Sequence, residues 1–338
     1  MNSRERIKAI IAREPADHTG FWLGNPDPKT WPILHDYFGT QTEEELRVKL
    51  GDDFRWCAPD VHAKSYFHPK GRAMFDLQME KTHHGQAGPF SNCEDVKEVE
   101  AYEWPKVEYL DFTDVKKQLQ TFKDTYRASG FWVPFYHHVM DLFGMEDYLV
   151  KMFTHPEVVH SVTDHVCQFY FDANEAFFVE CGEYVDGFFF GNDFGTQRDT
   201  IISPRLFDKF IMPWFKTFTK QGHDHGKQVI LHSCGSIYRV IPRLIEAGVD
   251  CLHPLQAKAA NMEAETLARE FGGKITFLGG IDAQDVMPHG TIEEVKQDVR
   301  RVKHLLSPNV IISPSHEAIL PDVPPVNVQA MAEAAHER

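Results

Sequence analysis

The sequence predicts a (β/α)8 TIM barrel with extended N-terminal loops or a small cap. From about residue 130 onward, short β-rich runs alternate with longer helical patterns. The runs are almost continuously apolar, which is typical of parallel strands buried on both faces. Strand and helix alternating this often indicates right-handed crossovers within one parallel sheet. The chain has 338 residues, whereas such a barrel typically needs ~250. The surplus lies in residues 25–110, rich in Pro, Gly, His and charge.

Seven segments are predicted as strands, and the eighth strand has no clear place in the sequence. The seven are residues 19–23, 131–136, 185–190, 228–231, 249–252, 275–278 and 310–312. We predict one barrel domain over residues 1–338, with 130–335 as its core. A doubly wound open sheet is the alternative, but no Gly-x-Gly-x-x-Gly motif follows a strand and no Walker-type lysine loop occurs.

Three helices carry start signals. Ser203 followed by proline reads as an N-cap with proline at the first helical position, before the amphipathic stretch 206–220. Thr291 and Glu294 have the spacing of a capping box before residues 295–306. Residues 322–325, Asp-Val-Pro-Pro, predict the start of the last helix.

The composition argues against several kinds of partner. Fifty acidic against 35 basic side chains give a formal charge of −15, which disfavours nucleic acid, an anionic membrane surface and a strongly polyanionic substrate. The six cysteines form no close-paired framework, and we interpret them as reduced thiols of a cytoplasmic protein. No apolar export signal and no run of ~18 uncharged apolar residues is visible.

Polar residues follow almost every predicted strand. Catalytic groups of a (β/α)8 barrel lie at the C-terminal strand ends, so these residues are candidates for a site. They are His137, His138, Asn192, Asp193, His232, Cys234, His253, Gln256, Asp282, Ser313, Ser315, His316 and Glu317. Each alone is more often a helix cap or a hydrogen-bonding residue. Their clustering on one rim is harder to explain by packing, because buried polar groups need partners.

His232 and Cys234 are the most informative pair. They lie two positions apart where a strand ends, so their side chains project from the same face. A neutral imidazole and a thiolate are ligands that Zn²⁺ accepts. We predict a metal held by this pair and a third donor, preferably His316. Two alternatives remain: buried packing residues, or a thiol nucleophile at Cys234 with His316 or His137 as its base.

Several motifs, in the right order, resemble the uroporphyrinogen decarboxylase superfamily, and specifically its cobalamin-dependent methyltransferase branch. They are residues 231–237, 244–250, 279–282, 290–295 and 321–325, followed by Asn327, Ala330 and Met331. The likeness covers roughly residues 130–335 and is much weaker in the first 110. The resemblance implies a (β/α)8 barrel with its site at the mouth.

In that branch the His-x-Cys pair ligates zinc, and a second cysteine near the last strand completes the thiolate set. The resemblance therefore implies His232 and Cys234 as zinc ligands. No cysteine occurs after Cys251, and Gln256 stands where those enzymes can carry an acidic zinc partner. Because a zinc with fewer thiolates activates a substrate thiol less strongly, these departures favour a small O- or N-methyl compound as the methyl donor.

The resemblance thus implies a zinc-dependent methyltransferase that moves a methyl group from a small methylated substrate to a corrinoid. The chain has no Asp-x-His-x-x-Gly cobalamin signature, so we expect the cobalamin on a separate corrinoid protein. The candidate catalytic residues are Asp193, His137 and Gln256. The candidate substrate-binding residues are His138, Asn192, Trp132, Tyr136 and Asp282.

Two other functions stay open. A metal-free decarboxylase would need to grip a substrate rich in carboxylates, but residues 20–28, where the decarboxylases carry arginine, contain none. The second open function is that of a non-catalytic subunit of a methyl-transfer complex. The oligomeric state is open as well, a homodimer included.

Overall fold

The computed structural model describes residues 1–77 and 86–337 and confirms a nearly closed (β/α)8 barrel. Its eight strands form one parallel sheet in the order β1-β8-β7-β6-β5-β4-β3-β2. They are Gly20–Phe21 (β1), Phe54–Trp56 (β2), Tyr126–Ser129 (β3), Gly187–Gly191 (β4), Gln228–His232 (β5), Cys251–His253 (β6), Thr276–Ile281 (β7) and Val310–Pro314 (β8).

Helices surround the barrel and connect its strands. They are Ser3–Ile11 (α1), Thr30–Phe38 (α2), Glu43–Lys49 (α3), Val96–Glu100 (α4), Thr113–Thr121 (α5), Phe135–Phe143 (α6), Met145–Thr154 (α7), Pro156–Cys181 (α8), Pro204–Phe210 (α9), Met212–Asp224 (α10), Ile241–Glu246 (α11), Ala264–Phe271 (α12), Val286–His289 (α13), Ile292–Leu306 (α14) and Pro325–His336 (α15). Within the described residues, no helix combines the length and the apolar character that a transmembrane segment requires.

The strand predicted over residues 131–136 is wrong. β3 lies just before it, and the predicted segment is a loop that leads into α6. Gly130 and Val133 have positive φ angles of 110° and 47°, and Pro134 has no N–H to give to a ladder. The sequence did not predict β3, because Arg127 interrupts the apolar pattern expected of a buried strand. In the structure Arg127 is buried against the carboxylate of Asp186.

The eighth strand, β2, lies inside residues 25–110, so this segment is more than loops and a cap. β2 carries Arg55, whose guanidinium is buried and paired with Glu44 at 2.7 Å. The segment also supplies α2, α3 and α4. Residues 78–85 of the predicted cap lie outside the described residues.

The predicted helix starts are confirmed. The side chain of Ser203 accepts a hydrogen bond from the N–H of Leu206, and Thr291 and Glu294 form the reciprocal capping box. The stretch 206–220 is divided between α9 and α10. The last helix begins at Pro325, the second proline of the Asp-Val-Pro-Pro sequence.

The barrel interior is packed with side chains and closed at its lower end by α1. Alternation along the strands turns one residue in two inward. Two groups of side chains pack together in the barrel interior. The strands or their ends supply Trp22, Phe54, Tyr126, Phe189, Ile230, Cys251, Leu278 and Ile311, and α1 supplies Ile7, Ile10 and Ile11. With the lower end filled, the open end of the barrel is the one formed by the C-terminal strand ends.

Candidate functional site

The upper layer of the barrel interior carries two histidines. His232 and His253 lie two residues beyond the inward-facing Ile230 and Cys251, so they share the same inner face one layer higher. Strand register pairs His232 directly with His253, and their Nδ1 atoms are 3.0 Å apart. Trp56 at the end of β2 belongs to the same layer. This layer is the floor of the barrel mouth.

Cys234 joins this layer from the loop that follows β5. Its Sγ lies 3.3 Å from Nε2 of His232, as the spacing of the pair predicted. The carboxylate of Asp193, which follows β4, accepts a hydrogen bond of 2.8 Å from the N–H of Cys234 and lies 3.3 Å from the same Nε2. Asp193, His232 and Cys234 therefore offer oxygen, nitrogen and sulfur at one point.

The loop after β5 is held in place by a glycine and an amide. Gly235 has φ +83°, and a Cβ there would lie 2.4 Å from the backbone carbonyl carbon of Gly195. Only glycine fits this close approach. The Gly235 N–H donates to Oε1 of Gln256 at 2.6 Å. Gln256, predicted as catalytic, thus positions the loop that carries Cys234.

The end of β8 brings two further donors to the mouth. One donor atom each from Cys234, His316 and Glu317 lies within 4.8 Å of the others, and the same holds for His232, His253 and Glu317. Nδ1 of His316 accepts a hydrogen bond from the N–H of Ala318 at 3.1 Å, which places the proton of the neutral imidazole on Nε2; binding of a metal by Nε2 would require the ring to give up this hydrogen bond. The three predicted ligands therefore lie around the same mouth, with Cys234 between His232 and His316.

Burial and charge shape the protonation of this cluster. Burial raises the pKa of the Cys234 thiol far above its usual range, and the carboxylates of Asp193 and Glu317 raise it further. Burial opposes the charged form of Asp193, but the hydrogen bond and charge of His232 outweigh it and lower the pKa of that carboxyl. Burial lowers the pKa of His253 well below its usual value, and the nearby His232 and His316 add to this.

The donor set fits a divalent metal. Sulfur, imidazole nitrogen and carboxylate oxygen are the ligands of zinc sites, and a cation would offset the negative charges that keep the thiol of Cys234 protonated. Two buried polar atoms of types that can bind a metal, Nε2 of His253 and Oε2 of Glu317, have no hydrogen-bond partner among the described residues. Buried polar atoms without partners indicate a site whose ligands or ion complete it.

A cavity of about 470 Å³ lies at the barrel mouth, with His232, His253 and Glu317 among its lining residues. Three tryptophans and one phenylalanine also line it, and none of its described lining residues is lysine or arginine. The lining consists of Trp22, Asn25, Pro26, Asp27, Pro28, Trp56, Trp132, Phe189, His232, His253, Glu317 and Ala318. The ring of Trp132, predicted to bind substrate, lies 5.1 Å from that of His232. The volume is typical of a small-molecule site.

Other predicted site residues lie elsewhere. His137 and His138 are on α6 instead of a strand end; His137 still contributes to the field at Asp193. His138 packs outside the cavity, with its Nδ1 2.7 Å from the hydroxyl of Tyr170. Tyr136 is buried and does not line the cavity.

Asn192 and Asp282 have local backbone partners. The amide of Asn192 accepts from the N–H of Tyr136 and donates to the carbonyl of Val133, both at 2.9 Å, so it anchors the segment after β3. Asp282 accepts from the N–H of Gln284 and lies 3.2 Å from Nζ of Lys258.

Four residues of the site received no role from the sequence. His253 and Glu317 follow predicted strands, and the two-residue alternation that singled out His232 applies equally to His253. Trp22 and Trp56 come from strands β1 and β2 or their ends, where the sequence offers no motif. Their only signal is a large aromatic residue at the end of a short strand.

The chain is similar in sequence to a protein family and to a curated protein. Residues 115–338 match the family model described as uroporphyrinogen decarboxylase. A curated relative, the methylated-thiol–coenzyme M methyltransferase of Methanosarcina mazei, is 25% identical over 105 residues, which make up 31% of this chain and 26% of that protein. The match thus spans about a quarter of the relative's length.

A solved structure of a methyltransferase from Methanosarcina mazei shares the fold. It matches with a TM-score of 0.68 at 16% identity, over 99% of this chain and 98% of that one. The family model covers strands β3 to β8 with His232, Cys234 and His316, while β1 and β2 precede it. The chain belongs to the uroporphyrinogen decarboxylase family.

Proposed function

We propose that this protein is a zinc-dependent methyltransferase that moves a methyl group from a small O- or N-methyl compound to a corrinoid carried by a separate protein. The observation that carries the proposal is the approach of Cys234 Sγ to His232 Nε2, 3.3 Å, at the open end of the barrel. The names of the two relatives, both methyltransferases, support the class of reaction.

The proposed ligands of the metal are His232, Cys234 and His316. Cys234 is shared by two groups of neighbouring donors, one with Asp193 and His232 and the other with His316 and Glu317. When bound, zinc supplies Lewis acidity toward the heteroatom that carries the methyl group. Asp193 positions the pair, because its carboxylate accepts the N–H of Cys234 and lies 3.3 Å from Nε2 of His232. The 470 Å³ cavity receives the methylated compound and limits the access of water.

The transfer breaks the bond between the methyl carbon and its heteroatom. The heteroatom keeps the electron pair of that bond and takes up a proton, and the reduced corrinoid supplies the pair for the new bond. The lowered pKa of Asp193 keeps its carboxylate ionised, so Asp193, with His137 nearby, would orient the leaving group or a proton donor at the mouth and would not itself supply the proton. Gln256 acts on this step only through the loop of Cys234, since its Oε1 accepts the N–H of Gly235.

Decarboxylation of a polycarboxylate is less well supported. The described lining of the cavity includes the carboxylates of Asp27 and Glu317 and contains no lysine or arginine. A substrate with several carboxylates would meet repulsion and find no bidentate cationic partner. The charge of −15 acts in the same direction.

Metal analysis of the purified full-length chain tests the proposal. We expect close to one zinc per chain, lost in His232→Ala and Cys234→Ala and retained in Cys93→Ser, which alters a buried cysteine beside Lys151 of α7 that belongs neither to the cavity lining nor to the candidate ligand groups. With zinc loaded, methyl transfer from O-methyl or N-methyl donors to reduced cobalamin should follow, measured by the change in cobalamin absorbance. A folded protein without zinc at neutral pH would contradict the proposal.

A further inference from the structure

Basic side chains surround one buried carboxylate at the lower end of the barrel, opposite the mouth. Arg4 and Lys8 lie four positions apart in α1, so they project from the same face of this helix. Nη2 of Arg4 lies 2.7 Å from Oδ1 of Asp186, the residue directly before β4, and Nζ of Lys8 lies 3.5 Å from the same oxygen. Nε of Arg127, in β3, lies 3.4 Å from Oδ2. Three cations therefore share one carboxylate.

Lys227 adds a fourth cation to this group. It directly precedes β5, and the side-chain amide of the next residue, Gln228, donates a hydrogen bond of 3.0 Å to the carbonyl of Lys8. The ammonium group of Lys227 donates to two backbone carbonyls, at 2.7 and 3.0 Å. Burial lowers the pKa of this ammonium group, and the charge of Asp186 only partly offsets this effect and that of the other three cations. We call these four cations the basic cluster.

The basic cluster presents N–H groups to the solvent. Arg127 is only 7% exposed. Its side chain bonds Asp186 through Nε, whereas its two Nη atoms bond no residue within 1–77 and 86–337 and are open to solvent. The side chains of Arg4 and Lys8 are 37% and 49% exposed. Guanidinium and ammonium groups held together in this way match the oxygens of a phosphate group.

The charge distribution favours a small anion over an extended one. The whole chain carries a formal charge of −15, so the basic cluster is a local exception. At physiological ionic strength, charges more than about 8 Å apart are largely screened, and a small anion therefore interacts mainly with the basic cluster. A nucleic acid or an anionic membrane would extend beyond it and meet a surface that is acidic on balance.

We propose that Arg4, Lys8, Arg127 and Lys227 form a binding site for a small phosphate-bearing anion. The site lies at the end of the barrel opposite the mouth, so it does not depend on the proposed function. Two of its residues belong to the helix that fills the lower end, and the other two belong to β3 and to the residue before β5. A bound phosphate would therefore link this helix to the strands.

Isothermal titration of the full-length chain with inorganic phosphate, at constant ionic strength, tests the site. We expect saturable binding of one phosphate per chain. Lys8→Gln should weaken the binding about threefold, the size of an exposed ion pair. Lys220→Gln is the matched control, since it alters an exposed lysine that pairs with Asp224 on α10, and it should leave the Kd unchanged. No saturable binding, or equal weakening in both variants, would overturn the proposal.

The position of the bound phosphate is tested separately with His232→Ala, which alters the mouth. Phosphate should bind this variant as tightly as the unchanged chain. Loss of binding would show that phosphate binds at the mouth, and it would overturn the proposed site.

Thermal unfolding distinguishes a phosphate site from a network that only stabilises the fold. Phosphate that binds the folded chain alone raises the Tm, but phosphate also raises the Tm of proteins by exclusion from their surface. The test is therefore the rise in Tm on replacing chloride by phosphate at equal ionic strength. This rise should be smaller in Arg4→Gln by about 2 °C, whatever the Tm of the variant in chloride. An equal rise in both proteins would overturn the proposal.

Further probes identify the source of the phosphate. Methyl phosphate that binds as tightly as inorganic phosphate would support a phosphorylated small molecule, and clearly weaker binding would support inorganic phosphate itself. Vesicles of phosphatidylglycerol test a membrane. Sedimentation with these vesicles that is lost in Lys8→Gln, without binding of inorganic phosphate, would overturn the small anion in favour of a membrane surface.

Discussion

Cys234 is the residue on which the metal site depends most. It lies within reach of His232 and Asp193 on one side and of His316 and Glu317 on the other. Its thiol is kept protonated by burial and by the two carboxylates. A zinc ion that deprotonates this thiol also neutralises the carboxylates. Metal binding and the local charge therefore depend on each other.

The third zinc ligand can be identified by substitution at the end of β8. His316→Ala should lower zinc affinity by at least about tenfold, since it removes a direct donor, whereas Glu317→Gln should lower it less because the amide retains an oxygen. Competition with a chromophoric chelator measures both affinities. His304→Ala, on the exposed face of α14, serves as the control. A larger loss in Glu317→Gln would make the carboxylate the third ligand.

Gly191 makes room for Trp132 in the aromatic wall. A Cβ at Gly191 would lie 2.2 Å from Cζ2 of Trp132. Gly191→Ala should therefore displace the indole, shift its fluorescence to longer wavelength and lower the Tm by several degrees, since overpacking costs about 1–3 kcal/mol. Gly182→Ala, where the nearest atom to an added Cβ is 3.8 Å away, should leave both unchanged. Equal behaviour of the two variants would contradict the close contact.

At the scale of elements, β4 to β8 could be predicted because each is an apolar run buried on both faces. β2 and β3 could not, because Arg55 and Arg127 interrupt their patterns. Arg127 is buried only because Asp186, 59 positions away in sequence, neutralises it. Such a partner is visible only after folding.

The same distinction applies to the site. The His-x-Cys spacing predicted the approach of His232 and Cys234 because the alternation of a strand is local. Of the aromatic residues that line the cavity, Trp132 was predicted from the sequence, whereas Trp22 and Trp56 could not be, because they come together at the barrel mouth only after the barrel closes. His137 and His138 were placed at a strand end that proved to be helical.

The contact between α10 and the start of β6 should depend on pH. His223, in α10, lies 2.9 Å from the carboxylate of Asp250, which also accepts the N–H of Val229. This hydrogen bond raises the pKa of His223. The stabilisation is fully present below the unfolded pKa of about 6.5 and is lost as the pH rises through the higher folded value.

His223→Gln should therefore cost stability at pH 5.5 and very little at pH 9. Because His223 is well exposed, we expect at most about 1 kcal/mol. Urea unfolding of the variant and of the unchanged protein at both pH values measures the difference. His304→Gln is the control for a surface histidine of α14. A loss that grows from pH 5.5 to pH 9 would contradict the ion pair.

At the scale of the whole molecule, the barrel closes at the seam between β1 and β2 through carboxylates. Asp53 donates its N–H to the carbonyl of Phe21 and accepts the N–H of Phe21 on its side chain at 3.0 Å. Asp52 accepts the N–H of Leu23. Arg6, from the helix that fills the lower end, lies 2.6 Å from Asp53. The seam and the lower plug are thus one unit.

Asp53→Ala should destabilise the protein by about 3–5 kcal/mol, because it leaves Arg6 buried without this partner, and should speed amide exchange at Phe21. Denaturant unfolding and hydrogen exchange measure the two effects. Asp17→Ala is the matched control: Asp17 also pairs with Arg6 but is 38% exposed, so we expect at most about 1 kcal/mol. A similar cost in both variants would show that the seam does not depend on Asp53.

X-ray absorption at the zinc edge of the purified full-length chain tests the central claim most directly. We predict zinc with one sulfur at about 2.3 Å and nitrogen or oxygen at about 2.0–2.2 Å, and loss of the sulfur signal in any zinc retained by Cys234→Ala. Zinc without sulfur, zinc with two or more sulfurs, or a folded protein that holds no zinc would contradict a metal centre built on His232 and Cys234.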